Sequence, residues 1–215
     1  MRQRFVSWLR LSVALCAVSA FAAETPLNAL LKKVEERYNT AKTLQVLFTE
    51  QYTPPRSAAR TESGVLMLRK PGRMRWDYSQ PKGKLWVSDG KNHWLYTPAD
   101  NVVEKMKLQE SDDMRAPLAF LLGKLHFDKE FRNLQGQPDG ADMRITAEPK
   151  SDTLPYSKVE FVVTPDARIR NVKVTGFDGS VLAFAFDQEK LDPPLEAKLF
   201  QFQMPAGAHL EDTGQ

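Results

Sequence analysis

The sequence predicts a mainly β domain of the α+β class, in which a strongly curved antiparallel sheet carries its helices on one face. Three observations predict it. Period-two alternation recurs from residue 44 almost to the end, tight-turn residues separate the alternating runs, and only two stretches show helical character.

The first helix is announced by Thr25-Pro26, a cap followed by proline in the opening turn. Leu27, Leu30, Leu31, Val34, Tyr38 and Ala41 then follow at spacings of three and four, about four turns in all. From Leu44 the period changes to two, with Leu44, Val46 and Phe48 on one side and Gln45, Leu47 and Thr49 on the other. Strands are predicted near 44–53, 62–70, 73–79, 83–88, 92–97, 102–108, 142–148, 156–164, 168–176, 181–188 and 196–203. Pro54-Pro55, Pro71-Gly72, Pro81-Lys82-Gly83, Asp89-Gly90, Thr97-Pro98, Thr164-Pro165-Asp166 and Phe177-Asp178-Gly179 punctuate them, which implies antiparallel hairpins. Residues 110–123 interrupt the run. Pro117 opens a short apolar helix through Leu118, Phe120, Leu121 and Leu122, and Gly123 stops it. With no polar face of its own, this segment is expected to cover the sheet.

Residues 1–22 read as a secretory signal peptide: Arg2, Arg4 and Arg10, an apolar stretch from Leu11 to Phe21, then Ala20-Phe21-Ala22 as a small-x-small cleavage site. The apolar run is about half of the roughly 20 residues a spanning helix needs. Residues 23–215 are expected to form a single exported domain. Cys16, preceded by Leu15 and by a very short apolar stretch, lacks the context of a lipoprotein acylation site and reads as part of the leader core. No cysteine would then remain, which removes disulfides and thiolate metal sites from consideration. The whole chain carries a net charge of +3, but without the leader 27 basic residues face 27 acidic ones. With no Lys/Arg-rich run either, nucleic-acid binding is set aside.

Trp76, Trp86 and Trp94 fall within 19 residues, with Tyr78 and Tyr96. Alternation places Met74, Trp76 and Tyr78 on one face of their strand, opposite Arg73, Arg75 and Asp77, and places Asn92, Trp94 and Tyr96 together on theirs. Such aromatics either pack a core or floor a cavity for an apolar ligand. Catalytic patterns are weak. His93, His126 and His209 are far apart with no HExxH pair, Ser88, Asp89 and His93 straddle one tight turn without a GxSxG elbow, and no phosphate-cradling GxxxxGK[ST] loop exists. Asp112-Asp113 reads as a helix cap, and the Arg73/Arg75 face as a solvated strand surface. No catalytic residue, metal or cofactor is expected.

The stretch Gly64-Val65-Leu66-Met67-Leu68-Arg69-Lys70-Pro71-Gly72-Arg73-Met74-Arg75-Trp76, followed by Gln80-Pro81, Val87-Ser88-Asp89-Gly90-Lys91 and Trp94-Leu95-Tyr96-Thr97-Pro98, resembles the outer-membrane lipoprotein carrier (LolA) family. Phe48-Thr49-Glu50-Gln51, Ala116-Pro117-Leu118 and Phe200-Gln201-Phe202-Gln203-Met204-Pro205-Ala206-Gly207 extend the likeness over most of the mature chain. The resemblance implies an incomplete β-barrel of about eleven antiparallel strands under a helical lid. It implies a carrier that encloses lipoprotein acyl chains in the periplasm, takes them from an inner-membrane ABC transporter and delivers them to an outer-membrane receptor lipoprotein of the same fold. On that basis Phe48, Leu66, Leu68, Met74, Trp76, Tyr78, Trp94 and Tyr96 are the expected lipid-cavity residues, and Pro117, Leu118, Phe120, Leu121 and Leu122 the lid. In the family a lysine then an arginine precede the proline, and the arginine latches the lid. Here the order is Arg69-Lys70-Pro71, so Lys70 takes the latch position by count and Arg69 is the alternative. A monomer is expected. A lipid-binding or lipid-sensing module of the same fold is the alternative reading, and a lipid-processing enzyme a more distant one.

Overall fold

The computed structural model describes residues 26–107 and 125–212. The expected leader, Asp112-Asp113 and the residues expected to form the lid, Pro117, Leu118, Phe120, Leu121 and Leu122, lie outside them. Helix α1 spans Pro26–Thr40 and buries Leu31, Val34 and Tyr38, the stripe that its spacing predicts. Among the described residues no helix is long and apolar enough to cross a membrane.

Twelve strands follow: β1 (Thr43–Thr53), β2 (Arg60–Arg69), β3 (Arg73–Gln80), β4 (Leu85–Asp89), β5 (Asn92–Thr97), β6 (Val102–Lys107), β7 (Phe131–Asp139), β8 (Asp142–Pro149), β9 (Tyr156–Val163), β10 (Ile169–Gly176), β11 (Val181–Leu191) and β12 (His209–Asp212). They form one curved open sheet in the order β12-β6-β5-β4-β3-β2-β1-β11-β10-β9-β8-β7. Neighbours run antiparallel except β12, which lies parallel to β6. Two meanders, β1–β6 and β7–β11, are thus joined through the long β1–β11 ladder, where Phe48 sits opposite Phe186 and Glu50 opposite Phe184. A short helix α2 (Phe127–Glu130) precedes β7.

Ten of the eleven predicted strands are present within a few residues of their expected ends. The eleventh, 196–203, is instead a 3-10 turn (Ala197–Phe200) and irregular chain. Phe200 and Phe202 do alternate with polar residues, but they face the back of the sheet rather than joining it. Strand β7 escapes sequence reading because most of its side chains are exposed and it carries Gly136 and Pro138, so it has no apolar alternation.

Two glycines are demanded by close approach. A Cβ on Gly64 would lie 2.1 Å from the Asp77 carbonyl oxygen, where β2 and β3 shift register. Gly72, at φ 66°, turns the β2–β3 hairpin against Gly90 of the next turn.

The register puts one apolar face along the sheet: Ile145, Phe161, Val172, Phe184, Phe48, Leu66, Trp76 and Trp86 follow one another across the strands. All are buried in one cluster with the inward side chains of α1. The helix enters over β7, where Leu27 touches Gly136, and ends against β1 and β2. Phe127, Phe131 and Phe161 pack edge-on or tilted, with centroids 5.5–6.1 Å apart, and fill the β7–β9 side of the cluster.

Candidate functional site

The covered inner face carries six of the eight residues expected to line a cavity. Phe48, Leu66, Leu68, Met74, Trp76 and Tyr78 share it, each no more than 5 % exposed. Leu66 stands opposite Trp76, Leu68 opposite Met74, and Phe48 on the row of Gly64 and Tyr78, where the missing side chain at Gly64 admits the close approach of the β3 backbone. Phe48 meets Trp76 and Tyr78 nearly at right angles, with centroids 4.6 and 5.2 Å away, and Trp76 also packs on Trp86 and Phe184. Trp94 and Tyr96 are corrected. Because Trp86 pairs with Leu95 and Val87 with Trp94, it is His93 and Leu95 that share the inner face, while Trp94 and Tyr96 point to the back. There Trp94 stacks flat on Phe202 at 5.7 Å, and the Tyr96 hydroxyl donates to Asn101 at 3.1 Å. Alternation within one strand cannot reveal this, since it gives two faces without saying which is inward.

Lys70 grips the end of α1, while the segment its position is expected to latch lies outside the described residues. Its Nζ donates to the carbonyl of Tyr38 and lies 3.4 Å from that of Asn39, at the C-terminal end of α1 where the helix dipole favours a cation. Burial lowers its pKa, while Asp192 opposes the shift. Arg69, the alternative latch, stands on the opposite face of β2 from Leu66 and Leu68. The strand turns it to the back, where its Nη1 donates to the Leu195 carbonyl, and Arg75 similarly donates to Leu199 at 3.1 Å while pairing with Asp77.

Sequence reasoning missed the other ties of α1. The Tyr38 hydroxyl donates to Glu189 Oε2 at 2.6 Å and accepts from the Ile169 amide at 3.0 Å. Arg37 donates to Glu189 Oε1 from both Nε and Nη2. Burial, then the Glu189 charge, pushes the Tyr38 phenol well above its usual pKa. Asn39 exchanges two hydrogen bonds with the backbone of Leu125. These partners are 86 to 152 residues apart, and no local pattern marks them. Among the described residues, two apolar slots lie under α1, one beside Val46 and Val172 and one beside Leu68 and Lys70, each about 10 Å³.

The residues with catalytic potential are taken up structurally. Ser88 donates to the Gly72 carbonyl, Asp89 accepts from the amides of Lys91 and Asn92 in its turn, and His93 packs on Trp86 with centroids 5.0 Å apart. His126 lies with Glu35 and Asp128, their ligand atoms within 4.8 Å of one another, but Glu35 accepts the Phe127 amide at 2.7 Å and so secures the start of α2 to α1.

A family model described as "Outer membrane lipoprotein carrier protein LolA" matches residues 39–203. The chain belongs to the LolA family. Relatives named outer-membrane lipoprotein carrier protein include one from Proteus mirabilis, 23% identical over 93% of this chain and 96% of its own, and one from Nitrosomonas europaea, 26% identical over 95% and 96%. An uncharacterized conserved protein of known structure from Thermus thermophilus superposes with a TM-score of 0.51 at 13% identity, covering 87% of this chain and 99% of that one, which supports the fold. Within this LolA-family chain, β2 and β3 supply Leu66, Leu68, Met74 and Trp76, and the turn between them supplies Lys70.

Proposed function

We propose that this protein is a non-enzymatic periplasmic carrier. It takes acylated lipoproteins from an inner-membrane ABC transporter, encloses their acyl chains against the inner face of the sheet, and hands them to an outer-membrane receptor lipoprotein. The observation that carries this reading is the continuous face of Phe48, Leu66, Leu68, Met74, Trp76 and Tyr78, apolar and wholly covered.

Acyl chains need such a face. Exposing a chain of about 15 methylenes to water costs ~12 kcal/mol at ~0.8 kcal/mol per methylene. Among the described residues the slots under α1, about 10 Å³ each, are far below the ~300–1,000 Å³ of a ligand pocket. Chains therefore enter by displacing what covers the face, and part of their burial energy offsets the contacts they replace, which keeps binding reversible without ATP. Lys70, gripping the end of α1 through two carbonyls, is the natural release point for that cover. Leu118, Phe120, Leu121 and Leu122 of the expected lid are displaced with it. The signal segment delivers the protein to the compartment where such traffic occurs.

Depletion in the native bacterium tests the reading. Outer-membrane lipoproteins should accumulate in the inner membrane, and normal sorting would contradict the carrier role.

A further inference from the structure

Trp76 combines two properties that seldom coexist. Its residue is 0 % exposed, yet its indole Nε1–H has no hydrogen-bond acceptor among the described residues. A buried tryptophan N–H usually finds a partner, because leaving it unmade forfeits the bond it would have with water. The surroundings explain the shortage. The ring is walled by Phe48, Tyr78, Trp86 and Phe184, with Leu66 directly opposite on β2, and none of the three phenyl and aliphatic neighbours Phe48, Phe184 and Leu66 offers an oxygen. A phenylalanine would pack among them without this penalty. The donor is therefore costly to the closed protein and useful only to an occupant.

We infer that the Trp76 indole donates a hydrogen bond to the carbonyl oxygen of an acyl ester or amide, so that the site distinguishes acylated molecules from hydrocarbon chains in general. An acyl carbonyl fits the setting: it accepts a proton bond, brings no proton needing its own acceptor and carries no net charge into the apolar face. The inference rests on the carrier reading above. It adds to that reading a polar contact beside the greasy ones, at the point where a chain joins its headgroup.

A matched pair of ligands tests it. 1-Palmitoylglycerol and 1-O-hexadecylglycerol have the same chain length and headgroup and differ in one carbonyl. Their affinities are measured by displacement of a fluorescent fatty-acid probe from the wild-type protein and from Trp76→Phe. The wild type should prefer the palmitoyl compound by about 3- to 10-fold, the range one hydrogen bond supplies, and Trp76→Phe should bring the ratio close to one. Equal binding by the wild type, or a preference that survives Trp76→Phe, would overturn the inference while leaving the carrier reading intact. Binding of neither compound would overturn both. Should Trp76→Phe fail to fold, indole N–H resonances of the 15N-labelled wild type decide. The Trp76 signal should move downfield with the palmitoyl compound and not with the ether, and an unmoved signal refutes the assignment.

Discussion

The two faces of the sheet are both covered by the protein's own chain, but by different kinds of contact. On the back, the segment after β11 crosses β2–β6 and is fixed group by group. Arg69 and Arg75 hold the carbonyls of Leu195 and Leu199, Phe202 stacks on Trp94, Asn101 binds Gly207 and His209 through side chain and backbone, and β12 pairs with β6. Val87, Val103, Leu195 and Phe200 are buried there as a core separate from the main cluster. On the inner face, Leu31 and Val34 of α1 meet a floor of rings and aliphatic chains, and most of the directional bonds gather toward the helix end, at Arg37, Tyr38, Asn39 and the carbonyls held by Lys70. A cover keyed by backbone hydrogen bonds has no lipid equivalent. One resting on apolar contact does, because methylenes can replace methylenes at little net cost.

Breaking each face should therefore have different consequences. The largest effect is expected from Trp76→Asp, which places a charge in the middle of the inner cluster. Export should persist while binding of a fluorescent fatty-acid probe is lost; unchanged binding in a folded variant would remove Trp76 from the site. Phe200→Ala on the back should cost about 3–5 kcal/mol in denaturant unfolding, yet leave probe affinity within twofold in the folded protein. A large change in affinity there would erase the distinction between the faces.

Smaller perturbations sharpen it. Tyr38→Phe removes the bond to Glu189 and strands the Ile169 amide, and should cost about 1–3 kcal/mol. It should also alter the alkaline limb of stability. The folded phenol's pKa is raised above its ordinary value of 10, so its contribution is complete below pH 10 and is lost as pH climbs from there toward the folded value. Wild type should lose stability above pH 10 more steeply than Tyr38→Phe, and parallel profiles would exclude the tyrosine as the source. The smallest stability effect, about 1 kcal/mol, is expected from Lys70→Ala. Its signature is kinetic: faster probe entry in stopped-flow mixing, with Lys70→Arg slowing exchange instead through a second donor. Identical rates in all three proteins would deny Lys70 any part in closure.

Much of this was legible in the chain itself, and the illegible parts share a cause. Period-two runs with turn residues between them located ten strands, because strands buried on one face must alternate. The β2–β3 floor was readable for the same reason, with Leu66, Leu68, Met74, Trp76 and Tyr78 in phase. Trp94 and Tyr96 were placed on the wrong face because inward and outward are decided by pairing between strands, which a single strand does not encode. The back cover was misread as a strand because Phe200 and Phe202 alternate as a strand would. Lys70 stands out in the sequence by its place before Pro71, while its contact with the end of α1 depends on a pairing across some thirty positions.

The most direct test of the account is to let a palmitoyl chain carrying a diazirine near its terminus bind the purified protein, irradiate it, and map the labelled residues by mass spectrometry. Labelling should fall on the inner face, at Phe48, Leu66, Met74 or Trp76. Labelling confined to the back, at Trp94, Phe202 or Leu210, or none above an unirradiated control, would contradict it.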